Sequence, residues 1–200
     1  MDIYQLREGT SAILFDLDGT LADSMPLHLK AWQEVLRAHG GDFPEREFYE
    51  WSGVPGPRCI EMLNDQFGWN LDPIELTHEK ERRISEFIPL VQPIPHVIDV
   101  VHHYRGKLKL AVGSGANRKH ILATLEVIGL TDVFDAVVGF DEVAQGKPAP
   151  DTWLLCAERV GVEPQYCHVY EDGDPGIQGA VQVGMSYTDV RLFSRSVLQN

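Results

Sequence analysis

The chain has 200 residues, enough for one good hydrophobic core or for one core with a small appended domain. Its 30 Asp and Glu outnumber 17 Lys and Arg, giving a formal net charge of −13. That balance argues against nucleic acid and anionic membrane as partners, and it requires local cations to hold any anionic substrate. No apolar run approaches the length of a membrane span. Residues 1–10 are polar and mixed in charge, so they do not read as a signal peptide. Cys59, Cys156 and Cys167 are widely spaced, with no C-x-x-C pair and no zinc-type cluster. They read as buried reduced thiols, which suits a cytoplasmic protein.

The first predicted element lies in Ile13-Leu14-Phe15-Asp16-Leu17-Asp18-Gly19-Thr20-Leu21. The apolar run predicts a strand buried in a parallel sheet. It ends in two carboxylates, at the strand end beyond which open α/β sheets bind ligands. Residues i and i+2 of a strand share a side, so Asp16 and Asp18 are expected to converge on one reacting group. Gly19 lets the backbone turn, and a hard cation such as Mg2+ would compensate the paired charge. Ser24-Met25-Pro26 then signals a helix start, with Ser24 as N-cap. Leu27, Ala31, Trp32, Val35 and Leu36 carry that helix to its stop at Gly40-Gly41. Helical patterns continue over residues 43–51, from Cys59 to Phe67 and over 71–88, with no strand among them. Pro89, Pro93 and Pro95 punctuate the return.

From His96 onward helices and strands alternate. Val97, Val100, Val101 and Tyr104 form one helix face, and residues 108–114 a strand. A helix is predicted over 117–128, a strand over 134–140, a helix over 151–160 and a strand over 167–171. Asp174 as cap and Pro175 at the first position open the next helix, and 186–190 is a last short strand. The alternation implies a parallel sheet with right-handed crossovers. The expected architecture is therefore an α/β domain, residues 1–23 and 92–200, interrupted by an all-helical domain over 24–91. That insert is expected to close over the strand ends, with hinges near 22–24 and 89–95.

Three further features follow predicted strands at the same sheet edge as Asp16. In Val112-Gly113-Ser114-Gly115-Ala116-Asn117, a hydroxyl and backbone N–H groups sit at a helix start, which favours phosphate. In Gly146-Lys147-Pro148, a lysine held between glycine and proline is a positioned point charge. In Glu171-Asp172-Gly173-Asp174-Pro175-Gly176, a strand ends in a second acidic pair. Each alone is unremarkable: a serine before a helix is usually a cap, a lysine beside proline a solvated residue, an acidic pair a turn. Together they supply a nucleophile, an acid/base, a metal site, a hydroxyl and a cation, the set that phosphoryl transfer asks for. His102-His103 does not make a metal pair, because adjacent helix positions point apart.

These four motifs, in this order and spanning nearly the whole chain, resemble the signatures of the haloacid dehalogenase superfamily. The resemblance implies a Rossmann-like core with a C1-type cap. It implies Asp16 as nucleophile, forming an aspartyl-phosphate, and Asp18 as general acid and base. Ser114 and the Gly115 amide would bind phosphate, and Lys147 would bridge phosphate and nucleophile. Mg2+ would be held by Asp16, the Asp18 carbonyl, Asp172 and, directly or through water, Glu171. His28 with Lys30-Ala31-Trp32, residues 53–58, 147–156 and 171–178 are similar to the β-phosphoglucomutase-like branch, and within it to bacterial phosphatases of fructose 1-phosphate and 6-phosphogluconate. Gly173, where many relatives carry a small polar residue, and Gly115-Ala116 after Ser114 are departures from that pattern. His28, Arg58 and Lys80 match cap positions that face substrate or support the acid/base Asp. For each of the three, an exposed polar helix residue is the plainer reading.

The expected function is Mg2+-dependent hydrolysis of small sugar phosphates by a cytoplasmic enzyme, a monomer or weak dimer. The alternative is a phosphosugar mutase using the same residues. Dehalogenation is disfavoured by Asp18, Glu171 and Asp172, which that reaction does not need. A phosphate-ligand sensor is disfavoured because every catalytic position is filled.

Overall fold

Ala12–Phe15 form strand β1, and every one of its side chains is buried, as befits a strand covered on both faces. The computed structural model describes residues 2–194. It divides into two compact units: one takes the chain up to Asp23 and from Gln92 on, the other is Ser24–Val91. β2 (Ala22–Asp23) closes the first stretch.

The Ser24–Val91 unit is helical: α1 (Met25–Ala38), α2 (Glu45–Glu50), α3 (Gly56–Phe67) and α4 (Pro73–Phe87). α1 starts where the sequence predicts, with Ser24 at its N-cap position, where the residue is already near helical geometry and its hydroxyl makes no cap bond. Leu29 joins Ala31, Trp32, Val35 and Leu36 on the buried face, while Leu27 is only partly covered. Asp72 is a true cap, accepting from the N–H groups of Ile74 and Glu75 at 2.9 Å each. The core of this unit gathers around Phe43, whose ring meets Trp32, Phe48 and Trp51. Edge-to-face and tilted aromatic pairs of this kind add to simple area burial.

The first unit resumes with β3 (Gln92–Pro93), which pairs antiparallel with β2: Ala22 opposite Pro93, Asp23 opposite Gln92. Then follow α5 (Pro95–Tyr104), β4 (Lys109–Gly113), α6 (Arg118–Val127), β5 (Ala136–Val138), α7 (Asp151–Val160), β6 (Cys167–Glu171), α8 (Asp174–Gln182), β7 (Ser186–Asp189) and α9 (Arg191–Ser194). The five long-range strands form one parallel sheet in the order β5-β4-β1-β6-β7. α7 packs on β1, β4 and β5, and α8 on β6 and β7. Leu14, Val138, Trp153, Cys156 and Val169 share one buried cluster.

Two readings are corrected here. β5 is shorter than 134–140, because Phe140–Glu142 wind into a 3-10 turn. The N-cap of α8 is Gly173, not Asp174, which is the first helical residue and pairs with Arg191 at 2.6 Å. β6 and β7 are also joined through side chains: His168 Nδ1 lies 2.8 Å from Ser186 Oγ, and its Nε2 2.8 Å from Thr188 Oγ1. Among the described residues, no helix is long and apolar enough to cross a membrane.

Candidate active site

The register of the sheet assembles the site. Phe15 stands beside Val112 of β4 and Tyr170 of β6, so the next residue of each strand, Asp16, Gly113 and Glu171, falls in one row at the C-terminal edge. β1 ends at Phe15, yet the Asp16 N–H donates to the Tyr170 carbonyl at 3.0 Å and prolongs the extended path. The chain then turns: Leu17 O accepts from the N–H groups of Leu21 and Ala22, and Gly19 takes a φ of +87°. A Cβ on Gly19 would lie 2.2 Å from Asp172 Oδ2, so glycine lets the two acidic loops meet. Thr20 Oγ1 donates to Asp172 Oδ1 at 3.3 Å.

Lys147 reaches this row from the loop before α7, where its peptide bond to Pro148 is cis. Its Nζ donates to Asp16 Oδ1 at 2.6 Å and to Glu171 Oε2 at 2.7 Å. Charge-assisted bonds this short are the strong kind. Glu171 Oε1 accepts from the Gly173 N–H at 2.9 Å. A Cβ on Gly176 would come 1.8 Å from Glu171 Oε2, so α8 yields space to that carboxylate. On the β4 side, Ser114 Oγ donates to Asp18 Oδ2 at 3.4 Å and accepts from the Ala116 N–H at 3.0 Å. Exposed Gly115 lies between them.

Asp16, Glu171 and Asp172 crowd together with one ammonium among them, and the pKa values answer to that imbalance. Burial, then the Glu171 charge, raises the Asp16 pKa well above the usual carboxylate range, with Lys147 opposing. The same two causes push Asp172 up to about 7. Burial works against the Lys147 ammonium, but Asp16 and Glu171 outweigh it and raise its pKa. An added dication would relieve the carboxylates' mutual repulsion. Asp16, Glu171 and Asp172 each offer an oxygen, all within 4.8 Å of one another. That all-oxygen donor set fits a hard cation such as Mg2+.

The predicted core residues Asp16, Asp18, Ser114, Gly115, Lys147, Glu171 and Asp172 thus come together at one edge of one sheet. His28, Arg58 and Lys80 stand in the helical unit. His28 lies half-buried in the first turn of α1, and Arg58 is paired with Glu61 on α3 at 2.8 Å. Lys80 is buried on α4, bonded to Glu81 at 2.9 Å, with Nζ 5.7 Å from the Trp32 ring. Sequence reasoning assigned no role to Thr20, Gly176 or Trp153. Trp153, whose ring lies 4.2 Å from Lys147 Nζ, reads in the sequence as one more apolar residue of α7.

A family model for haloacid dehalogenase-like hydrolases matches residues 10–184. The chain belongs to that family. It is 41% identical over 189 residues to the fructose-1-phosphate phosphatase YqaB of Escherichia coli (strain K12), covering 94% of this chain and 100% of that one. It is 30% identical to a phosphorylated carbohydrates phosphatase of Thermotoga maritima, over 87% of this chain and 82% of the relative. Among solved structures, a putative β-phosphoglucomutase from Thermotoga maritima superposes with a TM-score of 0.67 at 28% identity, over 88% and 82% of the two chains. The parallel sheet and its helices are the fold of this hydrolase family, and the chain is an enzyme of it, a phosphatase.

Proposed function

We propose that this hydrolase removes phosphate from small sugar phosphates, fructose 1-phosphate among them, through a phosphoryl group carried on Asp16. The observation that supports this most is the Lys147 ammonium bonded to both Asp16 and Glu171 beside the acidic group of Asp16, Glu171 and Asp172. The oxygens of those three residues, joined by the Asp18 carbonyl as the family resemblance implies, would hold a Mg2+ ion, which would supply charge stabilisation to the transferring phosphoryl group. Asp16 attacks phosphorus in line and the ester P–O bond breaks. The Asp18 carboxyl gives its proton to the leaving alkoxide. Asp18, now a carboxylate, takes a proton from the water that opens the aspartyl-phosphate, releasing inorganic phosphate and restoring Asp16. Lys147, Ser114 and the Gly115 amide hold the phosphoryl oxygens as charge spreads over them.

The helical unit serves as the cap that chooses among substrates. His28, Arg58 and Lys80 are its candidate specificity residues, by the cap positions of the β-phosphoglucomutase-like branch that they match, and the Arg58 guanidinium suits a second anionic or hydroxyl group. The three buried thiols fit a reducing, cytoplasmic setting.

The test is phosphate release from fructose 1-phosphate, glucose 1-phosphate and 6-phosphogluconate, with Mg2+ and with EDTA, wild type beside Asp16→Asn. Release that needs the metal and disappears in a folded Asp16→Asn protein is expected. Appreciable turnover by that variant would sink the mechanism. The likeness to a putative β-phosphoglucomutase supports a second reading, transfer of the phosphoryl group to a sugar hydroxyl. Formation of glucose 6-phosphate in place of free phosphate from β-glucose 1-phosphate would select it.

A further inference from the structure

Trp153 is fully buried in the first turn of α7, and its neighbours are the loops of the site. Its ring carries Lys147 Nζ at 4.2 Å from the centroid. Its Nε1–H donates to the Gly176 carbonyl of α8 at 2.8 Å. A Cβ on Gly113 would come 3.0 Å from the ring, so the residue before Ser114 presses on the indole as only glycine allows. From α8, a Cβ on Gly179 would meet the ring at 3.4 Å and the Pro148 and Ala149 carbonyls at 3.1 Å. One side chain therefore touches the loop that carries Lys147, the end of β4 and the helix behind Glu171 and Asp172.

A lysine ammonium is a point charge on a flexible stem. Two of its bonds here run to Asp16 and Glu171, and an aromatic face attracts a desolvated cation. The indole N–H, tied to α8, fixes where that face stands. We propose that Trp153 is the positioning residue for Lys147: its π face, anchored on Gly176, holds the ammonium between Asp16 and Glu171. The chemistry of this assignment rests on the phosphatase reading; the placement rests on the contacts alone.

A double-mutant cycle tests it, with Trp153→Leu, Lys147→Ala and the double variant assayed for phosphate release from fructose 1-phosphate. Trp153→Leu is expected to lower kcat about tenfold with little change in KM. Trp153→Phe, which keeps an aromatic face but loses the N–H bond to Gly176, shows a smaller loss of about threefold. In the Lys147→Ala background, Trp153→Leu costs nothing further. An equal loss in both backgrounds would mean that Trp153 only fills space and would overturn the proposal, as would equal losses in the Leu and Phe variants. If the Leu variant fails to fold, Trp153→Phe is carried through the same cycle, judged by whether its smaller loss vanishes with Lys147. Thermal midpoints of the same proteins give a second cycle that needs no substrate. Non-additive shifts support the placement and additive shifts overturn it. A wild-type chain inert toward every phosphate ester counts against the phosphatase reading, while the thermal cycle still decides the contact.

Discussion

Gly19 occupies a position that disfavours any side chain on two counts. Its φ of +87° strains an L side chain, and a methyl group there would lie 2.2 Å from Asp172 Oδ2. Gly19→Ala is expected to lose about 1–2 kcal/mol of stability in urea unfolding. It should also lose activity by about tenfold or more, because the added methyl displaces a carboxylate of the site. Wild-type turnover in that variant would show that the Asp172 loop is free to move aside. At this scale the sequence was informative where chemistry and position coincide. Asp16, Asp18, Ser114 and Asp172 stand out as polar residues just after apolar strands, and Lys147 as a lysine set between glycine and proline in the loop before α7. Trp153 and Gly176 could not be read that way. What each does depends on a side chain that another element brings, the Lys147 ammonium from the loop before α7 for one and the Glu171 carboxylate from the end of β6 for the other.

Between β6 and β7, His168 is buried, with both ring nitrogens against hydroxyls. Burial, and then the Arg7 charge, push its pKa from 6.5 down to about 4. Below about pH 6.5 the unfolded chain takes up a proton that the folded chain refuses. Stability present above that pH is therefore lost as pH falls toward 4, by about 3 kcal/mol from this group. Urea unfolding between pH 7.5 and 4.5 should show His168→Gln losing less over that range than wild type. Parallel profiles would assign the acid loss to carboxylates elsewhere. The elements themselves were readable from periodicity, since buried strands such as β6 and one-sided helices such as α7 leave distinct patterns. Their ends were not. The N-cap position of α8 is Gly173, and Asp174 is its first helical residue, paired with Arg191, a partner that arrives only with the last helix.

In the whole chain, β2 and β3 bring both ends of the helical unit to one ladder, Asp23 opposite Gln92. Opposed residues of such a pair stand about 5 Å apart, a gap that a two-residue turn closes. Replacing Ser24–Val91 by Asn-Gly is expected to leave a core that melts cooperatively and keeps its α/β circular dichroism. Its phosphate release should no longer discriminate among sugar phosphates. A non-cooperative melt would show that the core depends on the insert. The helical character of the stretch between β2 and β3 was legible from the loss of strand pattern and from the prolines at 89, 93 and 95. The ladder was not, because two-residue strands have no period to detect. The sheet order has a consequence in time. β1 is central, and its two neighbours begin at Lys109 and Cys167. On the ribosome, Asp16 emerges long before either, and such distant pairings form late and slowly. Asp16 thus waits for two strands made long after it, and the row it shares with Gly113 and Glu171 is complete only once β6 has been synthesised.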